Sequence, residues 1–157
     1  MKTYKLKAVQ KLPISIIEGW EFFSSPKNLQ EITPNDIGFI ITSEHEPNEK
    51  AYAGQIITYI ISPVLGIPLR WMTEITHVKD HDYFVDEQRF GPYALWHHTH
   101  QFKEISGGIE MTDTVHYALP MGFLGRLAHV IFVKKKLEKI FEYRSNVLKK
   151  KFGEYKD

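Results

Sequence analysis

The stretch Trp96-His97-His98-Thr99-His100-Gln101-Phe102 has the two-residue alternation of a β-strand. Successive side chains of a strand point to opposite faces, so one face carries the two aromatic rings and two imidazoles of Trp96, His98, His100 and Phe102. Large aromatic side chains are mostly buried, which indicates that this face points inward. A buried histidine needs partners for its ring nitrogens, and the sequence therefore predicts polar groups beside this strand.

The residues that follow predict a tight hairpin. Ser106-Gly107-Gly108-Ile109 places two glycines where a two-residue turn of the primed types requires positive φ. The opposite pairs predicted from this turn are Ser106–Ile109, Phe102–Asp113, His100–Val115 and His98–Tyr117. The return strand then contributes a carboxylate and a phenol to the inward face, because a slip of one residue would turn both outward.

Length and composition predict one globular domain over residues 1–157. A charged fraction of 25% and a formal net charge of +1 give no reason to expect nucleic acid or an anionic membrane as a partner. The chain has no cysteine, which excludes disulfides and thiolate metal ligands. The start does not resemble a signal peptide, and no run of about 18 apolar residues occurs, so a cytoplasmic protein without membrane insertion is expected.

Hydrophobic periodicity predicts the order of the elements around the hairpin. A first strand at residues 4–11 is followed by two short helices, at Ile14–Phe23 and Ser25–Glu31, each with a proline near its start. The further strands predicted from alternation lie from residue 36 onward, at 55–61, 69–77 and 83–90, and in the hairpin. Apolar residues at helical spacing, Leu124, Leu127, Ala128 and Ile131 among them, predict one long helix from Gly122 to about Phe152. This order predicts an α+β fold in which a curved seven-stranded antiparallel sheet wraps around the C-terminal helix.

Three motifs in this order resemble the SRPBCC superfamily, which includes START-like, birch-pollen-allergen-like and polyketide cyclase/dehydrase domains. The motifs are Gly91–Phe102, Thr112–Pro120 and Gly122–Ala128. The resemblance covers nearly the whole chain and looks closest to uncharacterised bacterial ligand-binding members. It implies a helix-grip fold whose cavity, between sheet and long helix, binds an apolar or amphipathic small molecule. It implies no particular reaction, because the superfamily includes carriers, cyclases and hydrolases.

Polar and aromatic side chains on the inward faces form the candidate site. A short connection at Gly91–Pro92 would bring Asp86 near His98, and Asp113 would approach His100 from the other neighbouring strand. The predicted ligand-binding residues are Trp71, Phe84, Asp86, Gln88, Trp96, His98, His100, Phe102, Asp113 and Tyr117. Aromatic walls with a few convergent polar groups are typical of small-molecule sites.

This polar set has two interpretations. A carboxylate that holds one imidazole nitrogen raises the basicity of the ring, which suits acid/base chemistry by His98 or His100 near neutral pH. A satisfied polar network in the wall of a binding cavity explains the same residues. Because buried polar groups are usually of the second kind, no catalytic residue is assigned.

The His98-x-His100 spacing with two carboxylates also fits a metal site, since imidazoles two residues apart on a strand can reach one ion. Such short runs carry little specificity without a full ligand set. The prediction is therefore no metal and no cofactor. His97, His116 and His129 are predicted to face solvent or the helix surface.

The leading hypothesis is the binding of a hydrophobic or amphipathic small molecule of the lipid, polyketide or aromatic type. One alternative is a cyclase or dehydratase that uses His98 or His100 as acid/base. The other is a protein-interaction module, because the apolar loop Ser62–Pro68 could dock a partner or a second copy of the chain. This loop and residues 122–125 are the predicted cavity mouth. Light scattering of Leu65→Asp would test whether a homodimer forms.

Overall fold

A computed structural model describes residues 1–46, 49–63 and 66–156, and its strands form one antiparallel sheet. The seven strands are β1 (Tyr4–Leu12), β2 (Ile40–Ile41), β3 (Ile56–Ile61), β4 (Leu69–Lys79), β5 (Tyr83–Phe90), β6 (Leu95–Ile105) and β7 (Gly108–Ala118). Their order across the sheet is β1-β7-β6-β5-β4-β3-β2. Strands β2 to β7 therefore pair in chain order, and β1 returns to pair with β7.

Helices lie between β1 and β2 and after β7. The first group contains α1 (Ile16–Phe23) and two 3₁₀ turns, Pro26–Leu29 and Asn35–Ile37. The C-terminal helix (122–152) contains α2 (Gly122–Ala128), a π-helical stretch (His129–Val133) and α3 (Lys134–Phe152). The predicted helix-grip architecture is confirmed, with the second short helix present as a 3₁₀ turn.

Strand β2 is shorter than predicted. The sequence predicts a strand from residue 36 onward, whereas Asn35–Ile37 forms a 3₁₀ turn and β2 contains only Ile40–Ile41. Gly38 lies between them in the left-handed region, with φ +59°. Since a left-handed glycine ends a helical turn and does not continue a strand, the extended segment begins later than the alternation suggests.

The register of the β6–β7 hairpin differs from the prediction by two residues. Gly108 pairs with Ile105, so the turn is Ser106–Gly107. The observed opposite pairs are Trp96–Tyr117, His98–Val115, His100–Asp113 and Phe102–Met111. Because a shift of two residues leaves every side chain on its face, the inward set is the predicted one although its partners are not.

The difference between the predicted and the observed hairpin register has a physical cause at Gly108. Of the two glycines only Gly107 has positive φ, at +74°, as a turn position requires. A Cβ on Gly108 would overlap the carbonyl group of Leu12 in β1. Gly108 therefore allows the end of β1 to approach β7, a tertiary contact that the local sequence does not reveal.

Gly108→Ala is expected to lower the free energy of unfolding by about 1–3 kcal/mol, because the new methyl group must displace backbone. Gly54→Ala is the matched control: Gly54 has open space around its Cβ position but a φ of +92°. The control should cost about 1 kcal/mol from backbone strain alone. Urea unfolding followed by circular dichroism measures both, and an equal loss in the two variants would contradict this role for Gly108.

The two halves of the C-terminal helix differ in burial. Leu137 and Leu148 of α3 are buried, as predicted. Leu124, Leu127 and Ile131, which helical spacing placed toward the sheet, are instead exposed. The π-helical stretch adds a residue to the turn and changes the phase of the helix, so Gly125 and His129 take the inward positions of the first half.

Candidate functional site

A cavity of about 290 Å³ lies between the inward face of the sheet and the C-terminal helix. Its lining residues come from the end of α1 and the segment that follows it, from β3 to β6 with their connections, and from Leu119 and the C-terminal helix. Most of them are apolar, such as Phe23, Ile57, Leu69, Leu137 and Ile140. The cavity is therefore an apolar chamber with a small number of polar positions.

Six of the ten predicted site residues line this cavity. They are Trp71, Phe84, Asp86, Trp96, His98 and His100. The other four, Gln88, Phe102, Asp113 and Tyr117, are not among the lining residues. Their side chains hold neighbouring parts of the structure in place.

Each of the four side chains has a defined partner in the structure. The Gln88 amide bonds the backbone N–H and C=O of Tyr93, at 3.1 and 2.7 Å, and fixes the β5–β6 connection. Phe102 is buried with its ring edge-on to Trp20, at 5.7 Å between centroids. The Tyr117 hydroxyl lies 3.0 Å from Nε2 of His129. Asp113 lies behind the two cavity histidines and bonds both of them.

Two imidazoles lie between two carboxylates at the polar end of the cavity. Asp113 Oδ1 is 2.8 Å from His98 Nε2 and 3.0 Å from His100 Nδ1. Asp86 Oδ2 is 2.7 Å from His100 Nε2 and 3.3 Å from His98 Nδ1. The two rings face each other with centroids 3.7 Å apart, and Trp96 Nε1 donates to Asp86 Oδ1 at 3.2 Å. In this His–Asp cluster (Asp86, His98, His100 and Asp113) every ring nitrogen has a carboxylate partner.

Strand register produces the cluster. Asp86 of β5 is directly opposite His98 of β6, as predicted. Asp113 of β7 is directly opposite His100. Each carboxylate therefore faces one histidine and reaches the other diagonally, a distance that side chains on one face of a sheet can cover.

Burial and close contact shift the pKa values of Asp86, His98 and Asp113. Burial alone would raise the pKa of Asp86, but the charge of His98 and the hydrogen bonds from both imidazoles hold it well below its ordinary value. The pKa of Asp113 is likewise raised by burial and lowered further by its bonds to His100 and His98, with a net shift downward. Burial lowers the pKa of His98, but the two carboxylates raise it to about 9. At pH 7 both carboxylates are therefore ionised and His98 carries a proton.

Asp86, His98 and His100 are the group of described residues that could hold a metal ion, with ligand atoms within 4.8 Å of one another. The second nitrogen of each imidazole bonds Asp113, as in metal sites where a carboxylate orients the ligands. The nitrogens that would bind the ion, His98 Nδ1 and His100 Nε2, lie 3.3 and 2.7 Å from Asp86 Oδ2. These three side chains are therefore a candidate site for a divalent cation.

Four polar atoms of cavity-lining residues are buried without a hydrogen-bond partner among the described residues. They are Gln55 Oε1, Trp71 Nε1, and Nε and Nη1 of Arg144. Arg144 Nη1 is 3.6 Å from Asp113 Oδ1, beyond hydrogen-bond distance, and the guanidinium lies over the ring of Phe141. Since an unsatisfied buried polar group costs about 1–3 kcal/mol, these atoms indicate where a bound molecule or water completes the wall.

The sequence prediction missed Gln55 and Arg144. Gln55 is predicted as the first residue of the strand at 55–61 and directly precedes β3 in the structure, and nothing local marks it as buried. Arg144 belongs to a lysine-rich helix, and a run of charges along a helix usually forms its solvent face. Its spacing from Leu137, Ile140 and Phe141 is that of the inward stripe, and this periodicity would have placed it in the cavity wall.

His129 does not lie where the sequence predicted. Its side chain is buried, stacks on Tyr4 at 3.5 Å between centroids and bonds Tyr117. Burial and then the charge of Lys134 lower its pKa. His97 lies on the outer face, as predicted, with Nδ1 2.7 Å from Glu87. The buried histidine at 129 follows from the change of helix phase described above.

Part of the predicted cavity mouth cannot be placed. Val64 and Leu65 of the apolar loop lie outside the described residues, while Pro63 lines the cavity. Residues 122–125 do not line it; Phe132 and Val133 of the π-helical stretch do. The helix therefore contributes to the cavity wall about two to three turns later than predicted.

Within the described ranges, no helix is both long enough and apolar enough to cross a membrane. The predicted cytoplasmic location and the single-domain organisation remain predictions.

Comparison with known proteins identifies the fold. No family model matches the sequence, and no curated protein matches it either. Among solved structures, CV1439 from Chromobacterium violaceum is similar with a TM-score of 0.72 at 10% identity, over 96% of this chain and 98% of that one. TTHA0849 from Thermus thermophilus has a TM-score of 0.69 at 16% identity, over 95% and 97%. The major latex-like protein 151 from Panax ginseng has a TM-score of 0.67 at 14% identity, over 96% and 97%. The predicted SRPBCC resemblance is thus confirmed at the level of the fold.

Proposed function

We propose that this protein binds an amphipathic small molecule whose apolar body fills the cavity and whose polar group meets Arg144 and Trp71. One observation carries the proposal: an apolar chamber of about 290 Å³ whose wall contains buried polar atoms with no hydrogen-bond partner in the part of the chain that the structure describes. Small-molecule sites combine a mostly apolar lining with a few polar groups that orient the ligand. Arg144 and Trp71 offer only N–H donors, so the matching group on the ligand is an oxygen acceptor such as a carboxylate.

The His–Asp cluster supports binding over acid/base catalysis. A general base needs a ring nitrogen within reach of the substrate proton. Each of the four ring nitrogens of His98 and His100 is already within 3.3 Å of a carboxylate oxygen. The cluster therefore acts as a rigid, charged end wall that keeps the chamber open, and we infer that the cyclase or dehydratase alternative is the weaker one.

Native mass spectrometry of the purified protein tests the proposal directly. The expected result is a retained compound of small-molecule mass that is released on unfolding. Ile140→Trp, which adds volume to the α3 wall of the cavity, should abolish retention. Ile17→Trp, on the exposed face of α1, should leave it unchanged. A protein that carries no compound and binds no apolar probe in solution would overturn the proposal.

Arg144→Gln is expected to weaken the binding of the anionic apolar dye 1-anilinonaphthalene-8-sulfonate by about tenfold or more, because a charged hydrogen bond contributes about 1.5–3 kcal/mol. The neutral dye Nile red should bind both proteins equally. Fluorescence titration measures both affinities, with Ile140→Trp as the background for binding outside the cavity. Lys150→Gln, an exposed cation on the same helix, is the matched control. An equal loss for both dyes would show that Arg144 shapes the cavity and does not recognise charge.

A further inference from the structure

The first half of the C-terminal helix exposes large apolar side chains in succession. This apolar face comprises Met121, Phe123, Leu124, Leu127, Val130 and Ile131, with exposed fractions from 48% for Leu127 to 73% for Met121. Scattered exposed apolar residues are ordinary, but a contiguous group marks an interaction surface. Gly125 and His129 occupy the inward positions of the same segment. The apolar side chains on its outer side therefore do not belong to the hydrophobic core.

The charges around this face have one sign. Between residues 114 and 137 the sequence contains no Asp or Glu and four cationic residues, Arg126, Lys134, Lys135 and Lys136. Lys136 pairs with Asp36 at 2.7 Å. Arg126, Lys134 and Lys135 are exposed beside the apolar face, and the nearest acidic contact is Glu138, 3.9 Å from Lys134. An apolar strip bordered by cations is complementary to a partner that has an apolar interior and an anionic surface.

We propose that this apolar face docks on the surface of an anionic phospholipid membrane. Helices with exposed apolar side chains and flanking cations bind in the plane of the bilayer interface, where the apolar groups enter the acyl boundary and the cations meet lipid phosphates. Such binding is peripheral and requires no membrane-spanning helix. The net charge of +1 gave no reason to expect it, because acidic residues elsewhere in the chain mask a local excess of cations.

A second copy of this chain fits the face less well. In a two-fold dimer the same patch lies on both subunits, so Arg126, Lys134 and Lys135 of one copy would approach the same cations of the other. Like charges across an interface are unfavourable. An anionic lipid surface has no such conflict.

Docking would bring the cavity wall next to the bilayer. Phe132 and Val133 line the cavity and directly follow the apolar face along the helix. An amphipathic ligand could then pass between bilayer and cavity without crossing water. This second step rests on the proposed function, whereas the docking itself does not.

Co-sedimentation with vesicles tests the docking. The protein should bind vesicles of phosphatidylcholine mixed with phosphatidylglycerol, bind pure phosphatidylcholine vesicles much more weakly, and dissociate as salt is added. Ile131→Asp should reduce the bound fraction by about tenfold or more, since a charge at the interface opposes insertion. Ile17→Asp, an equally exposed isoleucine on α1, should bind as the unchanged protein does. Lys134→Gln with Lys135→Gln should weaken binding, and Lys5→Gln with Lys7→Gln should not.

The absence of cysteine permits a second measurement. A polarity-sensitive fluorophore on Leu127→Cys should shift its emission to the blue on anionic vesicles, whereas the same label on Ile17→Cys should not. These vesicles contain no added ligand, so the result is independent of dye binding in the cavity. Normal dye binding with no vesicle binding would overturn the docking alone.

Two further outcomes would also overturn it. One is a dimer in light scattering that Ile131→Asp dissociates while vesicles remain unbound, which would assign the face to a second copy. The other is vesicle binding that Ile131→Asp and the lysine pair leave unchanged, which would place the lipid contact elsewhere on the chain.

Discussion

Asp113→Asn is expected to destabilise the folded protein by about 3–5 kcal/mol, the largest effect of any single substitution considered for this chain. Asp113 Oδ1 accepts a hydrogen bond from His98 Nε2 and lies 3.0 Å from His100 Nδ1 and 3.6 Å from Arg144 Nη1. The neutral amide of asparagine has nearly the same shape but cannot compensate the charges of His98 and Arg144. Those charges would remain buried, since both residues are less than 10% exposed.

Urea unfolding at pH 7, followed by circular dichroism, measures the loss. Glu74→Gln is the control, because Glu74 pairs with Arg89 at 2.6 Å on the outer face of the sheet, where an ion pair contributes less than about 1 kcal/mol. A variant that is already unfolded without urea would agree with the expectation. If Asp113→Asn cost no more than Glu74→Gln, the cluster would not be an electrostatic unit of the fold.

The residues of the inward sheet face could be predicted because a register error of two residues leaves every side chain of a strand on the same face. The predicted hairpin register was wrong by two residues, yet Asp113 and the histidines remained on one face. The prediction that Asp86 lies opposite His98 was confirmed, because a short connection leaves few registers open. Local pattern therefore predicted which groups meet, while their pairing depended on the contact between Gly108 and Leu12.

The local sequence pattern did not predict the exposure of the apolar face of α2 or the role of Arg144. Helical spacing predicts that Leu127 and Ile131 are core residues, and the π-helical stretch that turns them outward has no sequence signal that we recognise. Helical periodicity places Arg144 on the inward stripe, but its charge is compensated there by Asp113, which lies 3.6 Å away on a strand distant in the chain. In both cases the answer depends on tertiary contacts, and both positions belong to the surfaces for which we propose function.

The stability of the protein is expected to fall as the pH rises from 6.5 to about 9, by an amount on the order of 3 kcal/mol. The pKa of His98 is about 9 in the folded protein, above its ordinary value of 6.5. The folded state therefore binds this proton more tightly than the unfolded chain. The contribution is fully present below pH 6.5 and is lost as the pH rises through about 9.

The carboxylates of the cluster act in the opposite direction at low pH. The pKa values of Asp86 and Asp113 are lowered from 3.8, so their contribution is present above that pH and is lost as the pH falls through the lowered values. The cluster alone should therefore stabilise the fold most between about pH 4 and 6.5. Burial of the ion pairs makes this profile resistant to salt, unlike that of a surface pair.

Urea unfolding at a series of pH values between 6.5 and 9 distinguishes His98 from other groups. His98→Gln should be less stable than the unchanged protein but should lose the alkaline slope, because no proton is taken up at this position. His97→Gln is the matched control: its ring bonds Glu87 on the outer face, and its removal should leave the slope intact. A slope that survives in His98→Gln would mean that another group titrates, and the carboxylates would then not hold a proton on His98.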